Sequence, residues 1–124
     1  MEQKHIVIIE DEAPLANALK DVLIDEGYAA QVFTSSAEGQ QHVIENDVDL
    51  LILDIMMPEP DGIAVLEAVR GTEGKARLPI IMLTNSESGQ HMLEASAHHG
   101  ITYYVKANTQ VEDVVAEVKR TFSS

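Results

Sequence analysis

The chain has 124 residues, which suits one compact domain over residues 1–124 and leaves no room for a second. It contains no cysteine, so disulfides and thiolate metal sites are excluded, and its formal net charge of −13 argues against direct contact with nucleic acid, whose phosphates it would repel. Nothing at the N-terminus reads as a signal peptide and no apolar run approaches the ~20 residues of a membrane helix, so a cytoplasmic domain without membrane attachment is expected.

Short apolar runs alternate with segments of helical period. The first run, Ile6–Ile9, ends in Glu10-Asp11. Leu15, Leu19, Val22 and Leu23 then fall at i, i+4, i+7 and i+8, one face of a helix that should stop at Gly27. A second run, Ala29–Phe33, precedes Ser35-x-x-Glu38, a capping-box pattern ahead of a weakly periodic helix around Ala37–Ile44. The third run, Leu50–Leu53, ends in Asp54, and Ile63, Leu66 and Val69 follow at three-residue steps. The fourth run, Ile80–Leu83, ends in Thr84, and Gly100 marks the end of the helical segment after it. The fifth, Tyr103–Val105, ends in Lys106. Thr109-x-x-Glu112, a second capping-box pattern, opens a fifth helix striped by Val111, Val114, Val115, Val118 and Phe122. Continuous apolar runs suit strands buried on both faces of a parallel sheet. Five strand–helix units predict an α/β fold with helices on both faces and ligands beyond the carboxyl ends of the strands.

The residues that end the strands therefore test function. Glu10-Asp11 alone would read as a solvated helix N-terminus, and Lys106 alone as a surface lysine. Projecting together from one sheet edge, Glu10, Asp11 and Asp54 form an acidic cluster whose mutual repulsion a hard divalent cation relieves. Mg²⁺, or Mn²⁺ in its place, takes few protein carboxylates, several waters and a phosphate. Thr84 and Lys106 then suit the non-bridging oxygens of a transferring phosphoryl group. A carboxylate is a competent nucleophile for such a transfer. Asp54 is the choice, because its strand should lie between those carrying the other groups.

Glu10-Asp11, the stretch from Asp49 through Asp54 to Met56-Met57-Pro58-x-x-Asp61-Gly62, Pro79-Ile80-Ile81-Met82-Leu83-Thr84 and Tyr103-Tyr104-Val105-Lys106 together resemble the response-regulator receiver domain of two-component signalling, the CheY-like superfamily. The resemblance covers essentially the whole chain. It implies a flavodoxin-like, doubly wound sheet of five strands in the order 2-1-3-4-5, with five helices. It implies that Asp54 is the phosphoacceptor and a metal ligand, that Asp11 binds the ion directly and Glu10 through water, and that the Met56 carbonyl completes the protein's share. Thr84 and Lys106 would contact the phosphoryl group, and Tyr103 would be the aromatic that swings inward as Thr84 shifts. The phosphate would come from a sensor histidine kinase or a histidine phosphotransfer protein. The output would be a downstream protein, or a homodimer formed on phosphorylation, engaged through the fourth helix, fifth strand and fifth helix. The domain would catalyse only its own phosphorylation and dephosphorylation.

The sequence departs from that pattern at four places. Ala107 stands where proline and a cis peptide are usual, which leaves either a trans bond or a strained one costing ~3 kcal/mol. Pro60 replaces a commoner methionine. Asn85 replaces a small alanine, which should narrow access for phosphodonors. The glycine near the fifth strand sits one place late, so Tyr104 competes with Tyr103 as the switch, and counting back from Lys106 favours Tyr103.

Other chemistries fit less well. A haloacid-dehalogenase phosphatase wants an acid where Met56 stands, and a flavodoxin wants a hydroxyl-rich loop where Glu10-Asp11-Glu12 would repel its phosphate. Neither G-x-G-x-x-G nor a Walker loop is present. The methionines suit core filling or the site wall, and His5, His42, His91, His98 and His99 lack metal-site spacing. The remaining rival is a receiver-fold binding module that acts without phosphorylation, which would usually have lost one of the site residues kept here.

Overall fold

A computed structural model describes residues 3–85 and 100–123. Five strands, β1 (His5–Ile9), β2 (Ala29–Phe33), β3 (Leu50–Asp54), β4 (Ile80–Thr84) and β5 (Ile101–Val105), form one sheet in the order β2-β1-β3-β4-β5, and every neighbouring pair is parallel. Four α-helices lie among the described residues: α1 (Ala13–Asp25), α2 (Ser36–Glu45), α3 (Gly62–Arg70) and α4 (Val111–Ser123). The last of these is the fifth helical segment of the sequence pattern. The fourth segment, with Met92, His91, His98 and His99, falls within 86–99, outside the described residues, as does that part of the expected output face.

The sheet separates two halves of the core. On one side Val7, Ile9, Leu51, Leu53, Ile80 and Met82 pack against Val43 of α2 and Val65, Leu66 and Val69 of α3. On the other, Ile6, Ile8, Leu50, Ile52, Ile81 and Leu83 pack against Ala16, Leu19 and Leu23 of α1 and Val114, Val115 and Val118 of α4. Alternation along each strand supplies both halves, which is why the central runs are apolar without interruption.

The structure corrects several local expectations. In α3 the buried stripe is Val65, Leu66 and Val69, and Ile63 is only partly buried. Ser35 caps α2 as expected, accepting from the Glu38 N–H at 3.3 Å. Thr109 does not cap the last helix: α4 starts two residues later, and the Thr109 hydroxyl donates back to the Val105 carbonyl at 2.7 Å. The Asp113 carboxylate takes the Gln110 N–H instead. Asp54 and Thr84 end β3 and β4, as the sequence pattern predicts.

Candidate metal and phosphoryl site

The parallel sheet brings the carboxyl ends of β1, β3, β4 and β5 to one edge, and the site is built there. In register, Ile9 pairs with Leu53, Asp54 with Leu83, and Thr84 with Val105. Glu10, Asp54 and Thr84 are buried, and Asp11 is exposed. One carboxylate oxygen from each of Glu10, Asp11 and Asp54 lies within 4.8 Å of the others.

Lys106 reaches into this cluster from the turn of 3₁₀ helix Lys106–Asn108. Its Nζ lies 2.8 Å from Glu10 Oε1, 3.2 Å from Asp54 Oδ2 and 3.5 Å from Glu12 Oε1. The contact with Glu10 is the shortest of the three, and Glu10 is fully buried. The Lys106–Ala107 bond is trans; the one cis peptide among the described residues joins Glu59 to Pro60.

The β3–α3 loop wraps the other side. The Met56 N–H donates to Asp54 Oδ1 at 3.0 Å, which fixes the carboxylate and holds the Met56 backbone beside it. The Met56 side chain is 60% exposed, whereas Met57 and Met82 are buried in the core. Gly62 closes the loop by donating to the Ile55 carbonyl at 2.9 Å. A Cβ on Gly62 would lie 2.4 Å from Ile55 Cα and 2.5 Å from the Asp54 carbonyl oxygen. Backbone cannot yield as a side-chain tip can, so Gly62→Ala is expected to cost about 2–3 kcal/mol by overpacking. A urea midpoint equal to that of the wild type would show the approach to be looser than this.

Burial raises the Glu10 carboxyl most, and the neighbouring Asp54 charge adds to it; the Lys106 ammonium and the Glu12 N–H, which donates to Glu10 Oε2 at 2.9 Å, oppose the rise. The net effect pushes Glu10 up to about 7. Burial pulls Lys106 down, but the Glu10 and Asp54 carboxylates outweigh it and hold the ammonium above its ordinary range. The Glu10 shift favours its protonated form below about pH 7 in the ion-free fold. Its contribution to stability is therefore full below the ordinary carboxylate pKa and is lost as pH rises through about 7.

These residues fit a hard divalent cation. The donors are all oxygens, two of the three carboxylates are buried, and the clustered charge is only partly offset by Lys106. A cation held by Glu10 would displace the proton that this carboxyl carries below about pH 7. Affinity is thus expected to fall below pH ~7, towards a limit of about tenfold per pH unit, with uptake of the ion releasing a proton. Mg²⁺ titrations by calorimetry at pH 6, 7 and 8 in two buffers check this; a pH-independent affinity would remove Glu10 from the site.

The two tyrosines of β5 face opposite ways. Tyr103 packs with the α2–α3 half of the core and Tyr104 with the α1–α4 half. The Tyr104 hydroxyl lies 3.3 Å from Glu117 Oε1, to which Arg120 also donates. Burial and the adjacent carboxylate push its phenol up. The sequence reading missed two contributors. Glu12, legible only as the third acid of a run, adds its carboxylate to Lys106 and its N–H to Glu10. Ser36 had no signal at all.

Residues 6–119 match the response regulator receiver domain family. Among curated relatives, the transcriptional regulatory protein YkoG of Bacillus subtilis (strain 168), itself described as uncharacterized, is 31% identical over 119 residues, which cover 96% of this chain and 51% of that protein. DltR of Streptococcus agalactiae serotype III is 28% identical over 114 residues, 92% of this chain and 50% of the relative. The chain thus spans about half the length of these relatives. Among solved structures, chemotaxis regulator CheY4 of Vibrio cholerae shares the fold with a TM-score of 0.85 at 23% identity, covering 96% of this chain and 98% of that one. TrrA of Thermotoga maritima, solved in complex with Mg²⁺-BeF, has a TM-score of 0.80 at 29% identity, over 95% of this chain and 98% of that one. With a five-stranded sheet in the order 2-1-3-4-5 and a match over nearly its whole length, the chain belongs to the response regulator receiver domain family.

Proposed function

We propose that Asp54 is the phosphoacceptor of a two-component phosphorelay, phosphorylated with the aid of Mg²⁺ or Mn²⁺ by a sensor histidine kinase or a histidine phosphotransfer protein. The observation that carries this reading is Lys106, whose ammonium contacts Glu10 and Asp54 together at the edge of the sheet. Glu10, Asp11, Asp54 and the Met56 carbonyl would hold the ion. Bound there, it would offset the charge between the carboxylates and the phosphoryl oxygens.

The protein's own groups do the rest. The hydrogen bond that the Met56 N–H donates to Oδ1 orients the Asp54 carboxylate and would leave Oδ2, which pairs with Lys106, as the oxygen to bond phosphorus. As that bond forms, the phosphorus–nitrogen bond of the donor phosphohistidine breaks, and its electron pair leaves with the imidazole, which is protonated by solvent. Lys106 follows the negative charge from the carboxylate to the phosphoryl oxygens. Thr84, buried at the end of β4, would hydrogen-bond the same group. Tyr103, three residues before Lys106, would be the switch, on the opposite face of β5 from Tyr104. The exposed Asn85 beside Thr84 would narrow the donor's approach. No helix among the described residues is long and apolar enough to cross a membrane, which is compatible with a cytoplasmic setting. The domain would have no free substrate beyond its own phosphorylation and slow dephosphorylation. Output would pass to a downstream protein or a second copy through the surface that includes β5 and α4.

Intact mass after incubation with acetyl phosphate tests this. A gain of about 80 Da, one phosphoryl group, that requires Mg²⁺ is expected. Failure with acetyl phosphate and with a phosphorylated histidine kinase would favour a binding module that acts without phosphorylation.

A further inference from the structure

Four polar or charged side chains are buried among the described residues: Glu10, Asp54, Thr84 and Ser36. The first three are in the site. Ser36 lies in the first turn of α2, and its hydroxyl donates to the Pro58 carbonyl at 3.1 Å, across 22 residues. A buried hydroxyl is costly without a partner, so this bond fixes where the loop can sit. The loop has need of it. Pro58 and Pro60 have no N–H to give, which limits what the segment between Ile55 and Gly62 can do to hold itself.

The sequence also explains why Ser36 can reach. A Cβ on Gly39 would come within 2.6 Å of the Ile9 side chain and 3.2 Å of Phe33 Cβ. Glycine one turn beyond Ser36 therefore lets the start of α2 lie down on the carboxyl ends of β1 and β2. The loop so gripped carries Met56, whose N–H holds Asp54 Oδ1 and whose carbonyl belongs to the proposed ion site.

We propose that Ser36 is a positioning residue for the cation site, acting through Pro58 to hold the Met56 backbone in place against Asp54; this rests on the cation reading given above. Supporting groups one step behind a metal's ligands commonly set its affinity. Losing a neutral hydrogen bond of this kind corresponds to about fivefold in an equilibrium constant.

The test compares wild type, Ser36→Ala, Ser36→Thr and Val43→Ala, the last removing a buried side chain lower on α2. Hydrogen exchange on the ion-free proteins and Mg²⁺ titration are both read. In Ser36→Ala the Met56 and Gly62 amides should exchange about fivefold faster and the Mg²⁺ Kd should rise about fivefold. Ser36→Thr, which keeps the donor, should restore both, and Val43→Ala should lose stability with neither change. Unaltered Met56 and Gly62 exchange in Ser36→Ala overturns the tether, whatever the ion does. A wild-type Kd in Ser36→Ala, or an equal loss of affinity in Val43→Ala, overturns the positioning role alone. A wild-type chain that binds no Mg²⁺ overturns the cation reading itself, and this inference with it.

Discussion

Asp54→Asn is expected to abolish the phosphoryl adduct while making the ion-free protein more stable at pH 8. The carboxylate is buried beside Glu10, and its charge is one of the causes that raise Glu10 to about 7. Asparagine keeps an oxygen for the Met56 N–H and removes that charge. Relief of one buried like-charge contact, partly offset by the lost ion pair with Lys106, should leave a gain of about 1 kcal/mol. Glu10 should then titrate closer to its ordinary range. Intact mass gives the first result, and urea denaturation at pH 8 without divalent ions gives the second. An adduct that persists in Asp54→Asn would move the phosphoacceptor elsewhere. A marked loss of stability would mean that the Asp54–Lys106 pair matters more than the repulsion between the carboxylates.

Lys106→Met should have the opposite effect on the fold. Among the described residues Lys106 is the only cation in contact with the Glu10, Glu12 and Asp54 carboxylates, and its side chain is just 12% exposed. Removing one partner of a buried pair leaves the other uncompensated, at a cost of about 3 kcal/mol here. The sign follows from the raised Lys106 pKa: its contribution is complete below its ordinary range and is lost only as pH rises through the higher, folded value. The deficit should therefore persist through neutral pH. It should shrink at pH 5.5, where Glu10 takes up a proton, and shrink again with Mg²⁺, which supplies the missing charge. Phosphorylation should slow about 100-fold as one charge partner of the phosphoryl group is lost. Urea midpoints at pH 5.5 and 8, with and without Mg²⁺, check the first part. Equal stability of the two proteins at pH 8 would show that water already screens the cluster.

The central strands were legible because they are buried on both sides, and a run such as Leu50–Leu53 has few other uses. The acids and the lysine were legible because a parallel sheet gathers its carboxyl ends, so position along the chain translated into position in space. The sheet order came from the resemblance, since periodicity carries no information about which strands are neighbours. Ser36 could not be read in advance: its partner is a backbone carbonyl in a distant loop, and no side-chain pattern records such a bond. Thr109 misled for a related reason, a hydroxyl at capping spacing having found the Val105 carbonyl behind it. In α3 a three-residue step drifted off the buried face, and the i, i+1, i+4 set Val65, Leu66 and Val69 took the core.

The order of the strands also bears on how the chain can reach this state. β1 pairs with both β2 and β3 within residues 5–54, so Glu10, Asp11 and Asp54 can be gathered while β4 and β5 are still free. Lys106 arrives only with the final strand. A half-built sheet of that kind collects its anions before their counter-charge, and at neutral pH it is penalised as a resting place. Docking of β5 relieves the penalty, which discourages accumulation of incomplete forms with open strand edges. The arrangement that readies the finished domain for phosphate would thus also police its assembly.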